Sequence, residues 1–299
     1  MEIKKKLPDY YHKHKEQVKK LSFVFKLIFS IALLYFLFTK VSFKDTISHL
    51  IALPLSIVFL LIVSSYLKFY IQMRNWKSLL KIDPKVNIKK GDIFRTHTLG
   101  LLFKLIIPGG HGSFGKMFYL KQISKKSAFF IILLEKMFQT WIVWVAGLFA
   151  CEYYFKAHNI VFFTLFLISI FIPLFIPYVF KKASSERKWR RYRRLVLPLM
   201  ISQIVYLLLT FYQYYIILSF EHDVSIFDLV IKVSLVLFAT LIPISYSGLG
   251  IRESASVYLF AQSNINAETA IACSLIIFFF NSVLPALPSL FYFYKEKKN

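Results

Sequence analysis

The chain has 299 residues, of which 57% are hydrophobic and 33 are phenylalanine, and only two are cysteine. Soluble domains hold roughly 45–50% apolar residues, so this make-up excludes a disordered chain and a disulfide scaffold and argues against a soluble enzyme. Thirty-eight Lys and Arg oppose 15 Asp and Glu, a formal net charge of +23; because the cations lie between apolar runs, membrane topology explains them more economically than nucleic-acid binding.

In chain order, a basic tail at residues 1–20 leads into a first apolar run, Leu21–Thr39. That run is long and no small-x-small cleavage site follows it, so it reads as an anchor and not a cleavable signal. A membrane helix needs roughly 20 mainly apolar residues. Five more stretches meet this: Ile47–Met73, Ala128–Ala150, Asn159–Phe180, Leu195–Phe220 and Glu268–Tyr294. None alternates with period two, so a barrel is not supported. Pro54, Pro173, Pro177, Pro285 and Pro288 fall inside these runs and predict kinks.

Basic residues set the orientation. Residues 1–26 hold eight lysines, Arg74–Arg95 seven cations, Lys181–Arg194 eight and Lys295–Asn299 three. These segments belong in the cytoplasm by the positive-inside rule. The loops Lys40–Thr46, Cys151–His158 and Glu221–Ile226 are poor in cations and belong on the other face. The expectation is a multi-pass protein of the cell (inner) membrane with both termini cytoplasmic. Residues 21–294 form one transmembrane domain and 295–299 a short tail.

Two stretches do not fit simple spans. Ile93–Lys126 contains LIIPGGHGSFGK, Leu105–Lys116, and Phe227–Gln262 contains LIPISYSGLGIRE, Leu241–Glu253. Each has Pro seven residues before Gly, Pro108 to Gly115 and Pro243 to Gly250. Each continues into a short amphipathic helix carrying Tyr-Leu, then a polar break, then a full span. Charge arithmetic makes both re-entrant hairpins that enter from opposite faces. The fold expected is all-α and polytopic, six spans plus two hairpins in an inverted repeat, whose broken helices mark a midplane binding site. Eight plain spans is the alternative.

Irregular backbone at membrane depth must be buried in protein or line a wet cavity. The hairpin glycines Gly112, Gly115, Gly248 and Gly250 permit tight turns and close approach to a ligand. A helix N-terminus attracts anions, and a cation stands beside each one, Lys116 and Arg252. Glu253 and Glu135 are available to neutralise those cations, and Ser245 to bond a headgroup or its own turn. A charge at membrane depth costs roughly 2.5–3.5 kcal/mol on insertion scales, so an unneeded one is disfavoured. His111 has no second His or carboxylate at metal spacing, so no metal or cofactor is expected. Lys104 and Lys232, on the descending arms, either line a cavity or snorkel. Cys151 and Cys273 read as small apolar packing residues.

The residues Pro243, Ser245, Gly248, Leu249, Gly250, Ile251, Arg252 and Glu253 resemble the signature of the lysylphosphatidylglycerol synthase transmembrane-region family, also called the flippase-like domain. Pro108 and Gly112 resemble that family's first Pro-x-x-x-Gly turn, and Glu135 its following Glu-Arg pair. Lys116 and Lys136 stand where the family usually has Arg, which keeps charge but loses bidentate phosphate geometry. Gln139 stands near a usual acidic position. The resemblance implies a lipid flippase-like domain. Residues 1–20 are too short for a catalytic fold, so lysyl transfer is not expected.

The leading expectation is a transporter of a phosphate-containing lipid: a phospholipid, one like aminoacyl-phosphatidylglycerol, or one linked through polyprenyl phosphate. Its headgroup would lie between the hairpin tips. The partners are then membrane lipids with anionic phosphate headgroups, not nucleic acid; a homo-oligomer or a lipid- or glycan-modifying enzyme partner stays open. Two alternatives are a membrane-embedded enzyme on a lipid-linked substrate and a scaffold for such enzymes. No nucleophile–base set favours the enzyme. The scaffold makes the hairpin charges dispensable.

Overall fold

The computed structural model describes residues 42–83, 89–107, 112–120, 123–155, 160–181, 186–242, 245 and 247–297, with four isolated positions, Ile28, Ile31, Tyr35 and Thr39, before them. The span expected at Leu21–Thr39 therefore lies almost wholly outside the described residues, as do Pro108, His111 and Pro243. Every described element is helical. In chain order the α-helices are α1 Phe43–Ile51, α2 Leu55–Leu80, α3 Lys90–Ile106, α4 Lys125–Tyr154, α5 Ile160–Lys181, α6 Glu186–Leu218, α7 Ile226–Ala239, α8 Ile251–Phe260, α9 Ala267–Phe278 and α10 Leu287–Lys297. Among the described residues, four helices are long and apolar enough to cross a membrane by length and composition: Leu55–Leu80, Lys125–Tyr154, Lys188–Leu218 and Ala267–Tyr292. Ile160–Phe175 is a shorter apolar helix.

Local chemistry sets the helix starts. Ser42 accepts from the Asp45 amide at 3.2 Å, Ser124 from the Ser127 amide at 3.3 Å, and Asn266 from the Thr269 amide at 2.9 Å. Each satisfies an amide that the first helical turn leaves unpaired. Pro54 does not kink a span that starts at Ile47. It stands at the N-cap of α2, with α1 ending at Ile51, because proline lacks the amide an interior position must donate. Near the C-terminus, Pro285 and Pro288 are accommodated by a π-turn, Phe279–Val283, and a 3-10 turn, Leu284–Ala286, between α9 and α10. The basic block expected as a loop is already helical from Glu186.

Both glycine-bearing segments fold back on themselves. After α3 the chain returns as a 3-10 helix, Gly112–Tyr119, packed against α3. The short helix expected there is thus 3-10 and not α. Its end, Leu120, is buried in one apolar cluster with Ile93, Leu80, Ile82 and Tyr192. In the second segment α8 packs against α7, and Phe260 shares a cluster with Leu229, Leu218 and Ile265. Each segment therefore ends beside the place it began.

Charge divides the two ends of the bundle. At one, Lys188 pairs with Asp83 at 2.7 Å and Arg191 donates to the Lys81 carbonyl at 3.0 Å. At the other, Glu221 meets His49 at 3.0 Å and accepts from Thr269 at 3.1 Å, and Asp228 pairs with Lys232 at 2.7 Å. The long helices α2 and α6 run antiparallel between these ends, because successive contacts pair Ser65 with Gln213, Lys68 with Thr210, Gln72 with Gln203 and Asn75 with Ser202.

Candidate functional site

The first hairpin brings Lys116 onto Glu135 of α4. The ammonium donates to both carboxylate oxygens, at 2.9 and 2.7 Å, and lies 4.3 Å over the Trp76 ring. Both charged residues are buried. Gly100 makes room for this lysine: a Cβ there would stand 2.0 Å from Lys116 Cε. Gly112 and Gly115 open the 3-10 helix and lie against Phe103 of α3.

The second hairpin builds a comparable knot at the start of α8. Arg252 donates to Glu253 Oε1 through Nε at 3.0 Å and through its terminal nitrogen at 2.6 Å. Its Nε also reaches Ser274 of α9 at 2.9 Å, and the guanidinium lies 4.7 Å over Phe278. Glu253 Oε2 accepts from the Gly250 amide at 2.7 Å. The turn needs glycine because Gly248 and Gly250 sit at φ +80° and +84°, a region side chains disfavour. Both knots have one logic: a hairpin cation is neutralised by a carboxylate and tied to the next long helix. Arg252 and Lys116, expected to face phosphate directly, each have a carboxylate already.

Lys104 stands at the foot of the first hairpin, its backbone nitrogen 2.6 Å from where a Cβ on Gly112 would lie, and the charges of Lys116, Glu135 and Arg252 act on it. Lys68 and Lys136 act on the same group of charges. Lys232, the other lysine on a descending arm, is instead absorbed by Asp228 and Ser263 away from the knots. Ser245, Ser256 and both ring nitrogens of His97 are buried, with no hydrogen-bond partner among the described residues. An apolar pocket lined by Met137, Trp141, Trp144, Ile172 and Pro173 opens between α4 and α5.

A third polar feature runs along the α2–α6 contact. Lys68 donates to Thr210 at 2.8 Å and to Gln213 at 3.0 Å, and lies 4.5 Å over Tyr206. Gln139 of α4 donates to Gln72, which donates to Gln203. The Gln213 amide donates to Ser64, Ser65 and Asn281. Sequence reading passed over this seam, although Ser64, Lys68, Gln72 and Asn75 repeat at helical spacing inside an apolar run. Gln139, noted only as a departure from an acidic position, is a member of it. Among the described residues no three His, Cys, Asp or Glu side chains gather as a metal would need. Cys151 and Cys273 are free and buried.

These features define a polytopic helical membrane protein with a charged interior. The chain belongs to the family described as the lysylphosphatidylglycerol synthase TM region, whose pattern matches residues 23–289. That membership makes it a membrane protein related to lipid handling. Comparison with curated proteins returns no match.

Proposed function

We propose that this protein moves a phosphate-containing lipid between leaflets, with the headgroup held between the two hairpin tips. The observation that carries this is the pair of buried charge knots, Lys116 with Glu135 and Arg252 with Glu253, one on each hairpin of a chain of lipid-handling family. Cations outnumber carboxylates there: Lys68, Lys104, Lys116, Lys136 and Arg252 surround Glu135 and Glu253. Positive charge at membrane depth is costly and recruits an anionic partner. The apolar pocket at Trp141 and Trp144 suits an acyl chain.

The alternation of access is proposed to come from an inverted repeat. One unit is α2, the first hairpin and α4; the other is α6, the second hairpin and α9–α10. Support comes from the antiparallel α2–α6 pairing and from the contacts of α7 on α4, mirrored by α3 on α10. With the basic end in the cytoplasm, the hairpins enter from opposite faces. Both termini then lie inside, in the cell membrane.

The test is reporter-lipid movement in proteoliposomes of the purified chain, comparing anionic, zwitterionic and aminoacylated headgroups. Movement that depends on headgroup and is lost in Arg252→Ala is expected. No movement of any of the three reporters, nor of a polyprenyl-phosphate reporter, with the protein folded, overturns this reading in favour of a scaffold or an enzyme.

A further inference from the structure

The two carboxylates of the site are committed, and to specific partners. Glu135 is bound at both oxygens by Lys116, and Glu253 is divided between Arg252, Ser274 and the Gly250 amide. Neither knot has net charge to offer. The uncompensated charge lies elsewhere, on Lys104 and Lys68. Among the described residues Lys104 makes no hydrogen bond and no ion pair within 4 Å. Among the described residues Lys68 is held only by the neutral oxygens of Thr210 and Gln213 and by the Tyr206 ring. The two lysines act on each other as like charges.

The surroundings of Lys104 also differ from those of the knots. Lys116, Arg252 and Lys68 are buried, whereas Lys104 is exposed. It stands at the foot of the first hairpin, where its backbone nitrogen lies 2.6 Å from the position a Cβ on Gly112 would take. The two hairpin regions also hold buried groups with no hydrogen-bond partner among the described residues, His97 and Ser245 among them. Lysine is a compact point charge that suits an anion without demanding bidentate geometry.

We propose that Lys104 is the residue that reads the anionic headgroup, with Lys68 behind it as a second positive charge, while Lys116 and Arg252 are internally neutralised supports of the two hairpins. The ligand is a phosphate monoester or diester anion. This deepens the transporter reading, because it rests on the site proposed for transport and reassigns which of its cations meets the ligand. It makes the site tolerant of headgroup shape and selective for charge, since the ligand supplies the anion that the protein's own carboxylates do not.

The test uses the full chain in phosphatidylcholine nanodiscs. Binding of a short-chain phosphatidylglycerol is titrated, and inorganic phosphate is titrated separately. Lys104→Gln is expected to weaken lipid binding about tenfold or more, as loss of a charged contact does, and Lys104→Arg to hold it within about threefold. The thermal unfolding midpoint of Lys104→Gln should stay at the wild-type value, since no bond within the protein is lost. Wild-type binding by Lys104→Gln, or equal loss in Lys104→Gln and Lys104→Arg, overturns the assignment. So does a wild-type chain that binds neither probe. If inorganic phosphate binds as well as the lipid, with the same dependence on Lys104, the anion seat stands and the ligand is a free anion. Parallel lipid-movement assays separate the two claims. Binding through Lys104 without movement removes transport and leaves the seat. Movement with unimpaired Lys104→Gln removes the seat and leaves transport.

Discussion

Lys116 shows how a charge is kept inside this protein. Its ammonium has two contacts to the Glu135 carboxylate and one to the face of Trp76, so burial is offset by three contacts at once. Breaking such a pair from one side leaves the other charge unpaired and costs about 3–5 kcal/mol, whereas replacing both members with apolar residues is often nearly neutral. Lys116→Met and Glu135→Met should therefore each lower the unfolding midpoint in detergent sharply, and the double variant should recover most of the loss. Additive losses would mean that the pair contributes nothing as a pair. Gly100 belongs to the same arrangement. Gly100→Ala forces a carbon to 2.0 Å from Lys116 Cε and should destabilise by about 1–3 kcal/mol. Gly91→Ala, also in α3 but with nothing within 4 Å of a new Cβ, should be neutral or slightly stabilising. Circular-dichroism melting of the two variants side by side separates close packing from helix propensity. The sequence shows the hairpin charges because they stand beside glycine-rich turns. It does not show Gly100, since a lone glycine in an apolar run is only meaningful once its neighbour 16 residues on is known to fold back over it.

At the scale of elements, the legible features were those with local causes. The apolar runs that became α4, α6 and α9–α10, the polar breaks that became the caps Ser124 and Asn266, and the Gly248–Gly250 turn all follow from propensity and spacing. Where cause is not local, the reading departs from the structure. Pro54 is compatible with a kink or a stop, and only the separate packing of α1 against α9 decides for the stop. The α2–α6 seam is a property of two helices 127 or more residues apart in their contacts, Asn75 with Ser202, Gln72 with Gln203 and Lys68 with Thr210. Its polar period on α2 was visible; its partner face on α6 was not. Gln213 is the seam's most connected member, bonded to Ser64, Ser65, Lys68 and Asn281. Gln213→Leu should cost about 1–3 kcal/mol for each buried group left without a partner. Gln213→Glu, which keeps the acceptor for Lys68, should lose less. A denaturant series in mild detergent measures both, and equal midpoints for Gln213→Leu and wild type would show that the seam is filled by water at no cost.

At the scale of the whole molecule, the ends and the hairpins make one geometric claim. Lys81, just before the first hairpin segment, and Ser124, just after it, belong to the basic end, because Lys188 reaches both Asp83 and Ser127 and Arg191 reaches Lys81. Phe220, just before the second segment, and Ala261, just after it, belong to the acidic end, because Glu221 and Asp228 are tied to Thr269 and Ser263 there. All four positions are exposed. The native cysteines, Cys151 and Cys273, are buried, so background labelling is low. Single variants Lys81→Cys, Ser124→Cys, Phe220→Cys and Ala261→Cys should therefore react in pairs with a membrane-impermeant thiol reagent. The first two should label from the cytoplasmic face and the last two from the opposite face, as the positive-inside rule orients the basic end. If each segment instead crossed the membrane once, Lys81 and Ser124 would label from opposite faces, and so would Phe220 and Ala261. That outcome would replace the paired hairpins with eight spans. It would also remove the opposed entry on which alternating access between two repeats depends, because the charge knots at Lys116 and Arg252 would then sit on through-going helices and not on tips that meet from the two sides.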